Sequence, residues 1–283
     1  MKDKDIYLRV KDHSVSGEEF DLIFDKSLDL LETTPQPSEE ELPKYYESED
    51  YISHTDGKRN WFEKLYQIIK SIALKRKLKL INDSANDKGI LLDVGCGTGD
   101  FLKVAKSNGW EVSGVEPNAQ ARSIANSKTA NAVFDIEHLL EFDAHQFDVI
   151  TLWHVLEHLP KLDDHFKIFN RLLKPNGVLV IAVPNYKSFD ANYYKSFWAA
   201  FDVPRHLWHF SQTSIKKLAT INKFNVVRTK PMIFDAYYVS LLSEKYKTGS
   251  MNPLKAIWVG WRSNLSAMRS KEYSSLIYVL KKK

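Results

Sequence analysis

Ile90-Leu91-Leu92-Asp93-Val94-Gly95-Cys96-Gly97-Thr98-Gly99 decides the fold. A short apolar run predicts a buried strand. The three alternating glycines that follow predict a tight turn, and Asp100 to Asn108 has the apolar spacing of a helix. Glycine lets the main chain take positive φ and lets a ligand approach it closely, while the first turn of a helix offers unpaired N–H groups. A strand, a glycine turn and a helix together predict a site for a nucleotide-like ligand. A G-x-G-x-G string is weak evidence alone, because any tight strand-to-helix turn uses glycine.

The same alternation continues on the C-terminal side. Glu111 to Val115, Ala132 to Phe134, Phe147 to Trp153 and Val178 to Val183 read as strands, with a helix at Ala119 to Ser127 and another ending in Leu173-Lys174-Pro175-Asn176-Gly177. Buried strands alternating with helices predict an α/β fold with a doubly wound, mostly parallel sheet. Glu116 closes the second strand, where a carboxylate can accept both hydroxyls of a ribose, and Pro117 then turns the chain. Asp135 and Ile136 close the third, a polar and apolar pair suited to an adenine amino group and ring. These strand ends converge at the carboxyl edge of such a sheet, where open α/β folds bind ligands.

Outside this region the chain changes character. Residues 1–56 form an acidic appendage, with a helix start at Ser38-Glu39-Glu40-Glu41. Residues 57–85 form an amphipathic lead-in helix carrying Trp61, Leu65, Ile68, Ile69, Ile72 and Leu80. Residues 86–283 form the main domain, with stretches near 186–212 and 232–270 covering a substrate. Aromatic residues crowd the first of these; Met251 to Met268 reads as an amphipathic helix in the second, and Ser275 to Leu280 as a closing strand.

Composition narrows the function classes. Of 283 residues 43% are hydrophobic and 27% charged, as in ordinary globular chains, so neither disorder nor a fibrous class is favoured. The net charge of +4 is mild and gives no strong nucleic-acid signal. Cys96 is the one cysteine, which excludes an internal disulfide and any multi-cysteine zinc cage. The N-terminal residues lack a signal-peptide core, so a soluble cytoplasmic location is expected, with peripheral membrane contact compatible with the amphipathic stretches.

Leu91 to Gly99, Val115-Glu116-Pro117-Asn118, Phe147-Asp148-Val149-Ile150 and Leu172 to Leu179 resemble successive motifs of class I S-adenosylmethionine (SAM) dependent methyltransferases, over roughly residues 88 to 230. The resemblance implies SAM as cofactor and S-adenosylhomocysteine as product. It implies that Gly95, Cys96, Gly97, Thr98 and Gly99 surround the methionyl part, with Asp93 near its amino group. Glu116 and Pro117 would serve the ribose, and Asp135 and Ile136 the adenine. A dinucleotide site fits less well, because Asp100 stands where its third glycine would fall.

His154, Glu157 and His158 also spell the inverted zinc-protease signature, but His154 follows directly on a strand, whereas that motif needs both histidines on one helix face. Trp153 and His154 are therefore expected to close the cofactor pocket. Asp202-Val203-Pro204-Arg205-His206-Leu207-Trp208-His209-Phe210 resembles a loop of a subgroup of these enzymes, placed where a substrate wall is expected. Asn185, Tyr186, Arg205, His206 and Trp208 are the candidate acceptor contacts, and His206, His209, His154 and His158 the candidate catalytic residues. Histidine suits a general base near neutral pH.

Some members of that subgroup begin with a zinc ribbon, and Leu30 to Tyr46 resembles its continuation. The four cysteine positions would be Val10, His13, Asp25 and Leu28, so no metal is expected and residues 6–37 read as a metal-free descendant. The expected reaction is O- or C-methylation of a small-molecule, lipid-like or saccharide acceptor. Nucleic-acid or protein methylation, or SAM binding without catalysis, are the rivals.

Overall fold

A computed structural model describes residues 5–38, 40–46 and 61–283, side chains of residues 43 and 61–66 excepted. The expected Trp61 and Leu65 contacts fall outside the described side chains. An antiparallel meander opens the chain: β1 (Ile6–Lys11), β2 (Glu19–Asp25) and β3 (Leu30–Thr34). Ser38 and Glu41 pair as a cap, but only a 3-10 turn, Leu42–Tyr46, follows. The lead-in helix α1 (Trp61–Ser84) then leads to the main sheet.

That sheet contains β4 (Ile90–Val94), β5 (Glu111–Val115), β6 (Val133–Phe134), β7 (Phe147–Trp153), β8 (Leu173–Pro184), β10 (Phe224–Pro231) and β11 (Ser275–Lys282). Its seven strands run in the order β10-β11-β8-β7-β4-β5-β6. The first five in sequence are parallel, and β11 pairs antiparallel with β8 and β10. Helices α2 (Asp100–Ser107), α3 (Ala119–Thr129), α4 (Leu162–Leu172), α5 (Phe189–Tyr194) and α6 (Gln212–Ile221) join or flank these strands. The arrangement is the expected doubly wound, mostly parallel sheet. Val149, Ile150, Leu152 and Leu179 to Val183 are buried on both faces, which explains their unbroken apolar runs.

Two elements differ from the sequence reading. Leu173 to Gly177 is the extended start of β8 rather than the end of the preceding helix, because Leu173 pairs with Phe147 and is fully buried. The N-terminal appendage also takes a strand from the main domain, which the sequence reading did not include. A two-residue strand, β9 (Trp208–His209), joins β3, so the small sheet runs β1-β2-β3-β9. Leu22 and Leu31 share one buried cluster with Trp198, Phe201 and Val203. Short apolar strands that cannot cover both faces take the missing surface from the main domain.

Candidate functional site

The glycine turn folds over the end of β5: Gly95 N and Cys96 N donate to Val115 O at 2.8 and 3.1 Å. Gly95 has φ +67°, and a Cβ there would lie 2.5 Å from Val155, so only glycine fits. Gly97 also has positive φ, +54°, but a Cβ there would meet nothing within 4 Å. Its outer side is therefore open space over which a ligand can lie. Glu116 holds the turn from the neighbouring strand, accepting from Gly97 N at 2.8 Å and Asn118 N at 3.0 Å. Lys128 donates to Thr98 O at 2.7 Å, Cys96 is buried, and Gly99 caps α2.

Asp93 ends β4 beneath the turn and accepts from Thr151 Oγ1 at 2.6 Å. Burial pushes its carboxyl up to about 7, against the Thr151 hydrogen bond and the charge of Lys77. Asp135 lies at the next strand end but one, ion-paired to Arg122 at 2.7 Å and bonded by Ile136 N. Arg122 also donates to the carbonyls of Glu116 and Pro117, so it ties the β5 and β6 ends together.

The turn faces a contribution from the lead-in helix. The Lys77 ammonium sits 4.5 Å from the Trp153 ring centroid, and burial lowers its pKa against the pull of Asp93 and Asp235. Trp153 Nε1 is buried without an acceptor among the described residues. A cation, an orphaned donor and a buried carboxyl suit the carboxylate and ammonium of an amino-acid head group. The methionyl end of SAM has both, so the residues present fit it.

The histidines divide into two groups. His154, at φ +58° just beyond β7, lies 3.3 Å from Glu157 and 3.1 Å from Asp235. Burial opposes its charge, yet the two carboxylates outweigh that and raise it to about 10. His154 is thus a fixed imidazolium at neutral pH. His158 is the opposite case: burial and the nearby His206 push it down to about 4. Its Nδ1 lies 3.0 Å from Arg205 O and 3.1 Å from Tyr46 Oη, so Nδ1 carries the proton and Nε2 keeps its lone pair.

His206 Nδ1 is likewise 2.9 Å from Ala200 O, and its ring stands 4.6 Å from that of His158. Thr33 Oγ1 donates its proton to His206 O, so His209 Nε2, 3.0 Å from Thr33 Oγ1, donates to that hydroxyl. Burial holds His209 well below its ordinary pKa. Glu157, His158 and His206 offer ligand atoms within 4.8 Å of one another, an arrangement of the kind that can take a divalent cation.

The candidate acceptor contacts have partners within the protein. Arg205 makes two bonds to Asp202, at 3.0 and 2.6 Å, one to Asp12 at 3.2 Å and one to Tyr45 O at 2.8 Å. Asn185 donates to Glu272 and Tyr273 O, Tyr186 to Asp29, and Trp208 to Leu159 O. The loop from Asp202 to Phe210 thus clasps the meander to the main domain as well as bordering His158.

Lys77, Arg122, Thr151 and Asp235 escaped the sequence reading. Lys77 left a signal, since it stands with Leu74, Leu78 and Ile81 on one helical stripe, where a charge is out of place. Asp235 left none, because only the folded chain brings it to His154.

A family model described as a methyltransferase domain matches residues 65–229. A ubiquinone biosynthesis O-methyltransferase of Coxiella burnetii is 28% identical over 170 residues, 56% of this chain and 69% of that relative. An uncharacterized methyltransferase of Alkaliphilus oremlandii is 32% identical over 116 residues, 39% of this chain and 54% of that one. Among solved structures, a SAM dependent methyltransferase from Archaeoglobus fulgidus has a TM-score of 0.53 at 17% identity, covering 79% of this chain and 100% of that one. Geranyl diphosphate C-methyltransferase from Streptomyces coelicolor A3(2) has a TM-score of 0.55 at 15% identity, covering 81% and 88%. The matched domain spans the glycine turn and its flanking strand ends, and the chain belongs to the class I SAM-dependent methyltransferases.

Proposed function

We propose that this enzyme moves a methyl group from SAM to a hydroxyl, or to a carbon acidified by a neighbouring carbonyl, of a small lipid-like acceptor. The observation that carries the reading is the open Gly97 turn with Asp93 and the Lys77–Trp153 pair, together with His158, whose ring stands against that of His206. Bound SAM supplies an activated methyl group together with its own leaving group. The chain's residues have the remaining tasks of alignment, exclusion of water and proton removal.

Asp93 receives the ammonium and Lys77 with Trp153 Nε1 the carboxylate, while Glu116 turns its remaining lone pairs to the ribose and Asp135 with Ile136 flanks the adenine. His158 is the candidate base, because its Nδ1 donates to Arg205 O and leaves the Nε2 lone pair free to take a proton. His154 stays charged and serves as a fixed positive group rather than a base. The names of a quinone-pathway O-methyltransferase and a geranyl diphosphate C-methyltransferase among the relatives favour a small acceptor with an apolar tail.

Incubation with methyl-labelled SAM and a panel of prenylated phenols, hydroquinones, saccharides and RNA tests this reading. Label in the prenylated ring compounds is expected; label in RNA alone would replace the proposal with a nucleic-acid activity.

A further inference from the structure

The chain inserts a helical hairpin between β10 and β11, formed by α7 (Asp235–Thr248) and α8 (Pro253–Ser270). On α8 the buried residues are Ala256, Val259, Gly260, Ser263 and Ala267, so one face of the helix is fully accounted for by packing. The other face is apolar and uncovered: Leu254 is 83% exposed, Ile257 57%, Trp258 49%, Trp261 51%, Leu265 41% and Met268 63%. At the helical turn per residue these six fall within an arc of about 100°, directly opposite the buried set. Scattered apolar residues on a surface need no explanation, but a continuous stripe with two tryptophans does.

The charges that α8 itself exposes, Lys255, Arg262 and Arg269, are all basic, and the neighbouring Glu244 of α7 is buried against Tyr194. From Lys245 to Lys271 the sequence holds Lys245, Lys247, Lys255, Arg262, Arg269 and Lys271 and no acidic residue. Lys247 and Lys255 are held beside the face by the Tyr193 ring, at 5.5 and 5.9 Å from its centroid. A second copy of the chain would bring like charges together around the apolar stripe, which works against self-association. A surface that is apolar within and anionic at its boundary matches both features, and tryptophan favours that boundary. No helix among the described residues is long and apolar enough to cross a membrane, so a helix of this kind lies along the surface.

We propose that α8 docks flat in the headgroup region of an anionic lipid bilayer, its Leu254–Met268 stripe in the acyl boundary and its basic residues on the phosphates. The inference stands apart from the acceptor's identity. Co-sedimentation of the full chain with vesicles of phosphatidylcholine, alone or mixed with phosphatidylglycerol, tests it. The protein is expected to pellet with the mixed vesicles, less with neutral ones, and less again as salt rises.

The W258S/W261S double variant, and separately L254S with M268S, should lower partitioning by about tenfold or more, while SAM affinity by calorimetry stays unchanged and shows that the fold is intact. R262Q with R269Q should remove the preference for the anionic lipid. Wild-type protein left in the supernatant with mixed vesicles overturns the proposal, as does undiminished binding by both apolar double variants. A stable dimer that the tryptophan variant dissociates also overturns it, by assigning the stripe to a self-interface.

Discussion

Glu116 pins the glycine turn through Gly97 N and Asn118 N, and in the proposed reading its remaining lone pairs take the ribose. Its replacement by alanine should weaken SAM binding by at least about tenfold in calorimetry, a cost of ~1.4 kcal/mol. His158 gives a prediction of opposite character, in stability against pH. Its ordinary value is 6.5 and the folded value about 4, so the unfolded chain takes up the proton first as pH falls. The stability that this histidine contributes is complete above 6.5 and is lost as pH drops toward about 4. Urea midpoints measured across that window should fall less steeply in His158→Asn than in the wild type. The sequence marked His158 as a candidate base, but its tautomer depends on Arg205 O and Tyr46, which no local pattern reveals.

Elements built from contiguous periodicity were legible, and those built from distant pairings were not. β4 and β7 show as apolar runs, and the glycine turn shows in its own residues, so the strand–turn–helix unit could be placed before any coordinates. The β3–β9 pairing joins Leu31 and Glu32 to His209 and Trp208, and a two-residue strand leaves no periodicity to read. Arg205 shows the same limit: its sequence context suggests an acceptor contact, and only the folded chain shows it joining the buried Asp12 of the meander to the half-buried Asp202. Arg205→Met would leave two carboxylates facing each other without a cation. Breaking a buried pair in this way costs about 3–5 kcal/mol, and the loss should appear in chemical denaturation and as faster proteolysis of residues 5–46. Adding Asp12→Asn should recover part of it.

At the scale of the whole molecule, the meander and the main domain share a core through Leu22, Leu31, Trp198 and Phe201. A chain beginning at residue 61 would expose that cluster, and it is expected to be insoluble or to show a less cooperative thermal transition by circular dichroism than the full chain. The α7–α8 hairpin joins the same core through Val239 and Val259 and adds a polar link. Its first residue, Asp235, reaches His154 at 3.1 Å, and His154 stands beside the strand end that supports the cofactor turn. Beyond its buried packing and hydrogen bonds, this outward-facing helical pair is thereby linked by an ion pair to the neighbourhood of the cofactor turn. Such a tie makes the two places thermodynamic partners: whatever occupies the hairpin surface and shifts Asp235 alters SAM affinity by some factor, and SAM must alter the hairpin's affinity for that occupant by the same factor. Measured in either direction, the coupling is one number.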